Sequence, residues 1–69
     1  MNGMNMYFSA RTQTLAQFKE VYDKRLLNET PQDGSPVIFC AMANQTPHNR
    51  YDIVKFLIGE GAEIERHER

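Results

Sequence analysis

Ser35-Pro36-Val37-Ile38-Phe39-Cys40-Ala41-Met42-Ala43 is the stretch on which the fold turns. From Val37 to Ala43 every residue is apolar, so the run has no polar side. Periodicity alone does not separate a buried helix from a buried strand in so short a run. The flanking chemistry decides. Ser35 is a good N-cap, and Pro36 suits the first helical position, where a missing N–H costs nothing. Ala41, Met42 and Ala43 add helix propensity. The run therefore reads as a short helix. A helix without a polar face must be covered on several sides.

Working toward the N-terminus, Asn28 to Gly34 carries turn chemistry in Asn28, Thr30-Pro31 and Asp33-Gly34. Before it, Leu15, Phe18, Tyr22 and Leu26 recur at helical spacing with Val21 beside them. Gln17, Lys19, Glu20, Asp23 and Lys24 fall opposite, so an amphipathic helix is predicted from Thr14 to Leu27. Thr14 and Gln17 have the spacing of a capping box. Asn28 is expected to close this helix, and Pro31 bars its continuation. Met4 to Arg11 reads as a shorter helix or arm, packed through Tyr7, Phe8 and Ala10. Met1 to Gly3 is left out of the fold.

Toward the C-terminus, Asn44 to Asn49 reads as a loop broken by Pro47. A third helix is predicted from about Arg50 to Gly59, with Asn49 as its cap and Asp52 near its positive end. Ile53, Val54, Leu57 and Ile58 form one apolar stripe. Tyr51 is expected to pack under the loop. Gly61 is a left-handed stop. Ala62 to Glu65 is an extended exit, and Arg66 to Arg69 a charged, solvated tail.

These residues resemble the ankyrin repeat family. An ankyrin repeat runs about 33 residues: a turn, a helix opening Thr-Pro-Leu-His-x-Ala, and a second helix. Ser35-Pro36-Val37-Ile38-Phe39-Cys40-Ala41 is similar to the opening motif, with Ile38 where the family usually has His. Ile53-Val54-Lys55-Phe56-Leu57-Ile58-Gly59-Glu60-Gly61-Ala62-Glu63-Ile64-Glu65 is similar to the close of the second helix. Asp33-Gly34 resembles the tip of the finger turn. The loop from Asn44 to Arg50 is longer than the family norm.

The resemblance implies an all-α fold of stacked antiparallel helix pairs with short finger turns. It divides the chain into a degenerate N-terminal repeat or cap over 4–30, a repeat over 31–65, and a tail or start of a further repeat over 66–69. Such stacks bury a continuous core only with neighbours present, and at least three repeats are usually needed. An incomplete solenoid is therefore expected: either a truncation, or a chain that self-associates through its open C-terminal face.

Composition bounds the function. Hydrophobic residues make up 41% and charged residues 25%, which is enough apolar content for a small core and argues against disorder. The net charge of −1 argues against a dedicated nucleic-acid binder, which would carry a basic face. Cys40 is the sole cysteine, so neither an internal disulfide nor a cysteine metal cluster is available. A free thiol fits the cytoplasm, the expected compartment. No segment approaches the roughly 18 apolar residues of a membrane span, and the start is not a secretory signal.

No constellation for catalysis, cofactor or metal binding is visible. His48 has no second histidine nearby, His67 sits in the tail, and Cys40 with His48 lacks an orienting third group. A protein-interaction module without chemistry is the expected function. The resemblance puts its partner contacts at the finger tip, Gln32, Asp33 and Gly34, and on the concave side of the inner helix, Phe39, Met42 and Ala43. A toxin-neutralising immunity-type protein is a narrower alternative. A helix-turn-helix DNA binder is an alternative of another class, weakened because only Arg50 and Lys55 are basic on its second helix.

Overall fold

A computed structural model describes residues 6–30 and 35–63. Among these the chain forms α1 (Met6–Thr12), α2 (Leu15–Val21), α3 (Val37–Met42) and α4 (Pro47–Glu60), with a 3₁₀ turn at Lys24–Leu26 and no strand. The all-helical expectation holds, and the stretch that opened the question is helical. α1 packs on α2, and α3 on α4. The two pairs then meet, α1 against α3 and α2 against α4. α3 is thus covered from two sides, which its uniformly apolar sequence requires.

Val37, Ile38 and Ala41 of α3 meet Ala10, Phe18, Ile53 and Leu57 in a fully buried core. Each such large side chain contributes about 1.5–3 kcal/mol by leaving water. The first pair is set by Thr14. Its hydroxyl accepts from the Gln17 N–H at 3.2 Å, while the Gln17 side chain accepts from the Thr14 N–H at 3.1 Å. That capping box starts α2 two residues after α1 ends. In α1 the packing residues are Met6, Ser9 and Ala10, whereas Phe8 faces outward and Tyr7 is half-buried.

α2 is half its predicted length. At Tyr22 the backbone turns extended, with φ −72° and ψ 135°. Tertiary contacts outweigh helix propensity there. The Tyr22 ring sits 5.5 Å from Phe18 and 5.1 Å from Phe56, and its hydroxyl donates to Glu60 Oε1 at 3.1 Å. The Asp23 N–H lies 3.3 Å from Met6 Sδ. The Asp23 carboxylate accepts the Arg25 N–H at 3.0 Å and so closes a local 3₁₀ turn, the kind of side-chain bond that competes with a helix. Leu27 is buried in consequence and Leu26 is not.

Asn28 therefore does not terminate α2. It clamps the far end of α4 instead: its Nδ2 donates to the Gly61 carbonyl at 3.5 Å, and its Oδ1 accepts the Glu63 N–H at 2.9 Å. Gly61 is the left-handed stop expected, at φ 106°. The Gly61 N–H donates to Ile58 O and the Ala62 N–H to Leu57 O, each at 3.0 Å, which is the bond pair of a Schellman motif.

Both later helices start one to three residues from where the sequence put them. Pro36, rather than Ser35, is the N-cap of α3, with no side-chain capping bond. Pro47 is not a loop breaker but the first residue of α4, the helical position that proline suits best. Asn49 consequently lies inside the helix. The connection is short, Ala43 to Thr46, so the predicted long loop is absent. Asn44 holds it. This buried side chain donates to the carbonyls of Ala10 at 2.9 Å and Gln13 at 3.2 Å, and accepts the Thr46 N–H at 3.0 Å. Those carbonyls are C-terminal orphans of α1, so Asn44 caps one helix pair from the other.

Candidate functional site: an apolar groove on the outer face of the last helix

The predicted stripe on α4 divides in two. Ile53 and Leu57 are fully buried, while Val54 is half-buried and Ile58 is 48% exposed. At 3.6 residues per turn, Val54 and Ile58 line up instead with Pro47 and Tyr51. Tyr51 is 63% exposed and packs under no loop. Helix α4 thus carries a second apolar face pointing away from the core. Met42, at the end of α3 and 41% exposed, borders that face and widens it into a groove of about 600 Å³.

Two cations flank the groove, Arg50 on one side and Lys55 on the other. Arg50 directs one guanidinium N–H to the Asn44 carbonyl at 2.8 Å, which fixes its stem beside the α3–α4 turn. Lys55 Nζ lies 5.7 Å from the centroid of the Tyr51 ring, close enough for a cation–π contact. Among the described residues no carboxylate lines the groove. The nearest acid in sequence, Asp52, holds His48 Nε2 at 3.2 Å on the neighbouring edge of the helix.

Of the partner-contact residues expected from the sequence that are among the described residues, Met42 alone lines the groove. Phe39 is half-buried and packs against the core, so its ring supports the fold more than it presents a surface. Ala43 is exposed at the C-cap of α3 and does not line the groove. Gln32, Asp33 and Gly34 lie outside the described residues. Pro47, Tyr51, Val54 and Ile58 were missed. Their 4-3-4 spacing is present in the sequence, but there Pro47 reads as a loop residue and Val54 and Ile58 as part of a single apolar stripe with Ile53 and Leu57.

Elsewhere the chemistry is sparse. Cys40 is buried, with its Sγ 3.7 Å from an Arg11 nitrogen, whereas His48 is exposed and paired with Asp52, so the two do not form a pair. Among the described residues no cluster of His, Cys, Asp and Glu could hold a metal, and no helix is long and apolar enough to cross a membrane. Burial and the Glu60 hydrogen bond push the Tyr22 hydroxyl up to about 12, a consequence of the interhelical contact rather than of a reactive site. Hydrogen bonds from the side chain and backbone of Arg25 hold the Asp23 carboxyl below its ordinary range.

Among the described residues, fold and site together define an all-helical structure with an open apolar face on its last helix. Compared with family models, curated proteins and solved structures, the sequence matches none.

Proposed function

We propose that the chain is a protein-interaction module of the ankyrin-repeat type, which holds a partner protein on its last helix pair and carries out no chemistry. The observation that carries this reading is the second apolar face of α4. An apolar groove rimmed by polar residues is the form that protein interaction sites take on a monomer surface. The stacking order supports the repeat type: α1/α2 and α3/α4 pair within themselves, then first helix meets first helix and second meets second. The Gly61-Ala62 exit, which carried the resemblance, forms a glycine-dependent stop as that reading requires. The contact surface of the proposal is Met42 with the outer face of α4.

Selection of helical peptides from a display library against the immobilised 69-residue chain tests this. Binders should be lost with Ile58→Glu and retained with Ala16→Glu, an exposed control on α2. Binders that survive both Ile58→Glu and Tyr51→Glu would contradict the assignment of the site.

A further inference from the structure

We infer that the α4 groove takes an acidic amphipathic helix, one with leucine-like residues along one seam and carboxylates on both flanks of it. The inference rests on the interaction-module reading and adds the chemistry of the partner.

The shape of the apolar row selects a helix. Pro47, Tyr51, Val54 and Ile58 follow the 4-3-4 spacing of a coiled-coil seam, and they run for about three turns or ~16 Å. A row with that spacing is complementary to another helix laid nearly alongside, whose anchors fall at i, i+3 or i+4, and i+7. An extended strand would present anchors at a period of two and would also need a free backbone edge, which an α-helix does not offer.

Charge selects the kind of helix. With Pro47 and Val54 at d positions and Tyr51 and Ile58 at a positions, Arg50 falls at g and His48 and Lys55 fall at e. The remaining flank position, Leu57, is buried in the core. These flanks face the partner's own flanks and set partner choice through charge pairs. Here both fixed charges are positive, and among the described residues neither Arg50 nor Lys55 is matched by a carboxylate lining the groove. Lys55 is held over Tyr51, and one N–H of Arg50 is committed to Asn44, so both cations stand beside the groove before a partner arrives.

The same arrangement disfavours a second copy of this chain. In a parallel pair, g faces e of the other helix, which sets Arg50 against Lys55. In an antiparallel pair, g faces g and e faces e, which sets like against like again. Either geometry buries the seam at the cost of opposed cations, whereas a flank of Glu or Asp removes the conflict.

The test uses three synthetic peptides with the same leucine seam and with Glu, Gln or Lys at every flank position, titrated against the full chain by fluorescence anisotropy. The Glu peptide should bind about tenfold or more tightly than the Lys peptide at low salt. That preference should shrink as salt rises and should reverse in an Arg50→Glu/Lys55→Glu variant. Equal binding of all three peptides would overturn the acidic-partner inference while leaving a helix-binding groove in place. Binding of none would overturn the groove itself, and with it the interaction reading. A chain that sediments as a dimer, and loses the dimer on Ile58→Glu, would assign the face to a second copy and also overturn the inference.

Discussion

Replacing Asn44 by alanine should remove a large share of the stability of the fold. The amide makes three bonds in a buried position: two donated to the orphan carbonyls of Ala10 and Gln13, and one accepted from the Thr46 N–H. A typical internal hydrogen bond is worth about 1 kcal/mol net, and a partner left buried without one costs more. Asn44→Ala should therefore cost about 3 kcal/mol. A chain of this length has of the order of 3–10 kcal/mol in total, so the variant is expected to be marginal. Urea unfolding followed by far-UV circular dichroism measures the loss. With a slope near 1 kcal/mol per molar urea for so small a chain, the midpoint should fall by about 3 M. Asn44→Asp keeps the acceptor for Thr46 but sets a charge against two carbonyls, and it should be at least as damaging. Asn28→Ala breaks a similar clamp at an exposed site and should cost under about 1 kcal/mol. If Asn44→Ala is no worse than Asn28→Ala, the two helix pairs are not tied at this point and the reasoning fails.

Two glycines two residues apart should respond in opposite directions. Gly59 lies within α4 and a methyl there would meet nothing, so Gly59→Ala should raise stability by about 1 kcal/mol. Gly61 sits at φ 106°, and Gly61→Ala should lower stability by about 1–2 kcal/mol through backbone strain alone, the nearest atom to the added methyl being Leu27 Cδ2 at 4.0 Å. Thermal melts of the two variants give the sign of each. The Tyr22 hydroxyl titrates higher in the folded chain than in the unfolded one, so its contribution is fully present below pH 10 and is lost as the pH rises toward about 12. Wild type should lose stability over that window more steeply than Tyr22→Phe; parallel stability curves would show that the Glu60 contact does not couple to folding.

The helical class of the chain was legible because Thr14/Gln17 and Gly61 are local signals. A capping box and a left-handed glycine act within a few residues of where they stand. What failed needed information from afar. The end of α2 is set by Glu60 and Met6 reaching Tyr22 and Asp23, and nothing in the window around Tyr22 encodes either contact. Asn44 and Asn28 looked like turn residues and proved to be ties between segments more than 30 positions apart in sequence. The groove was concealed by a different cause. α4 is apolar on its core face, on the Phe56 face toward Phe18 and on the outer face, so its pattern has no single stripe to follow. Reading Pro47 as a breaker removed the first residue of the outer row, and Ile58 was then absorbed into the core stripe.

Methyl-resolved NMR during titration with the Glu-flanked peptide reads the outer face of α4 and the core in the same experiment. The account predicts progressive shifts at the methyls of Ile58, Val54 and Met42, with those of Ile38 and Ile53 unmoved. Shifts confined to the core methyls, or no shift at Ile58 at saturating peptide, would contradict it.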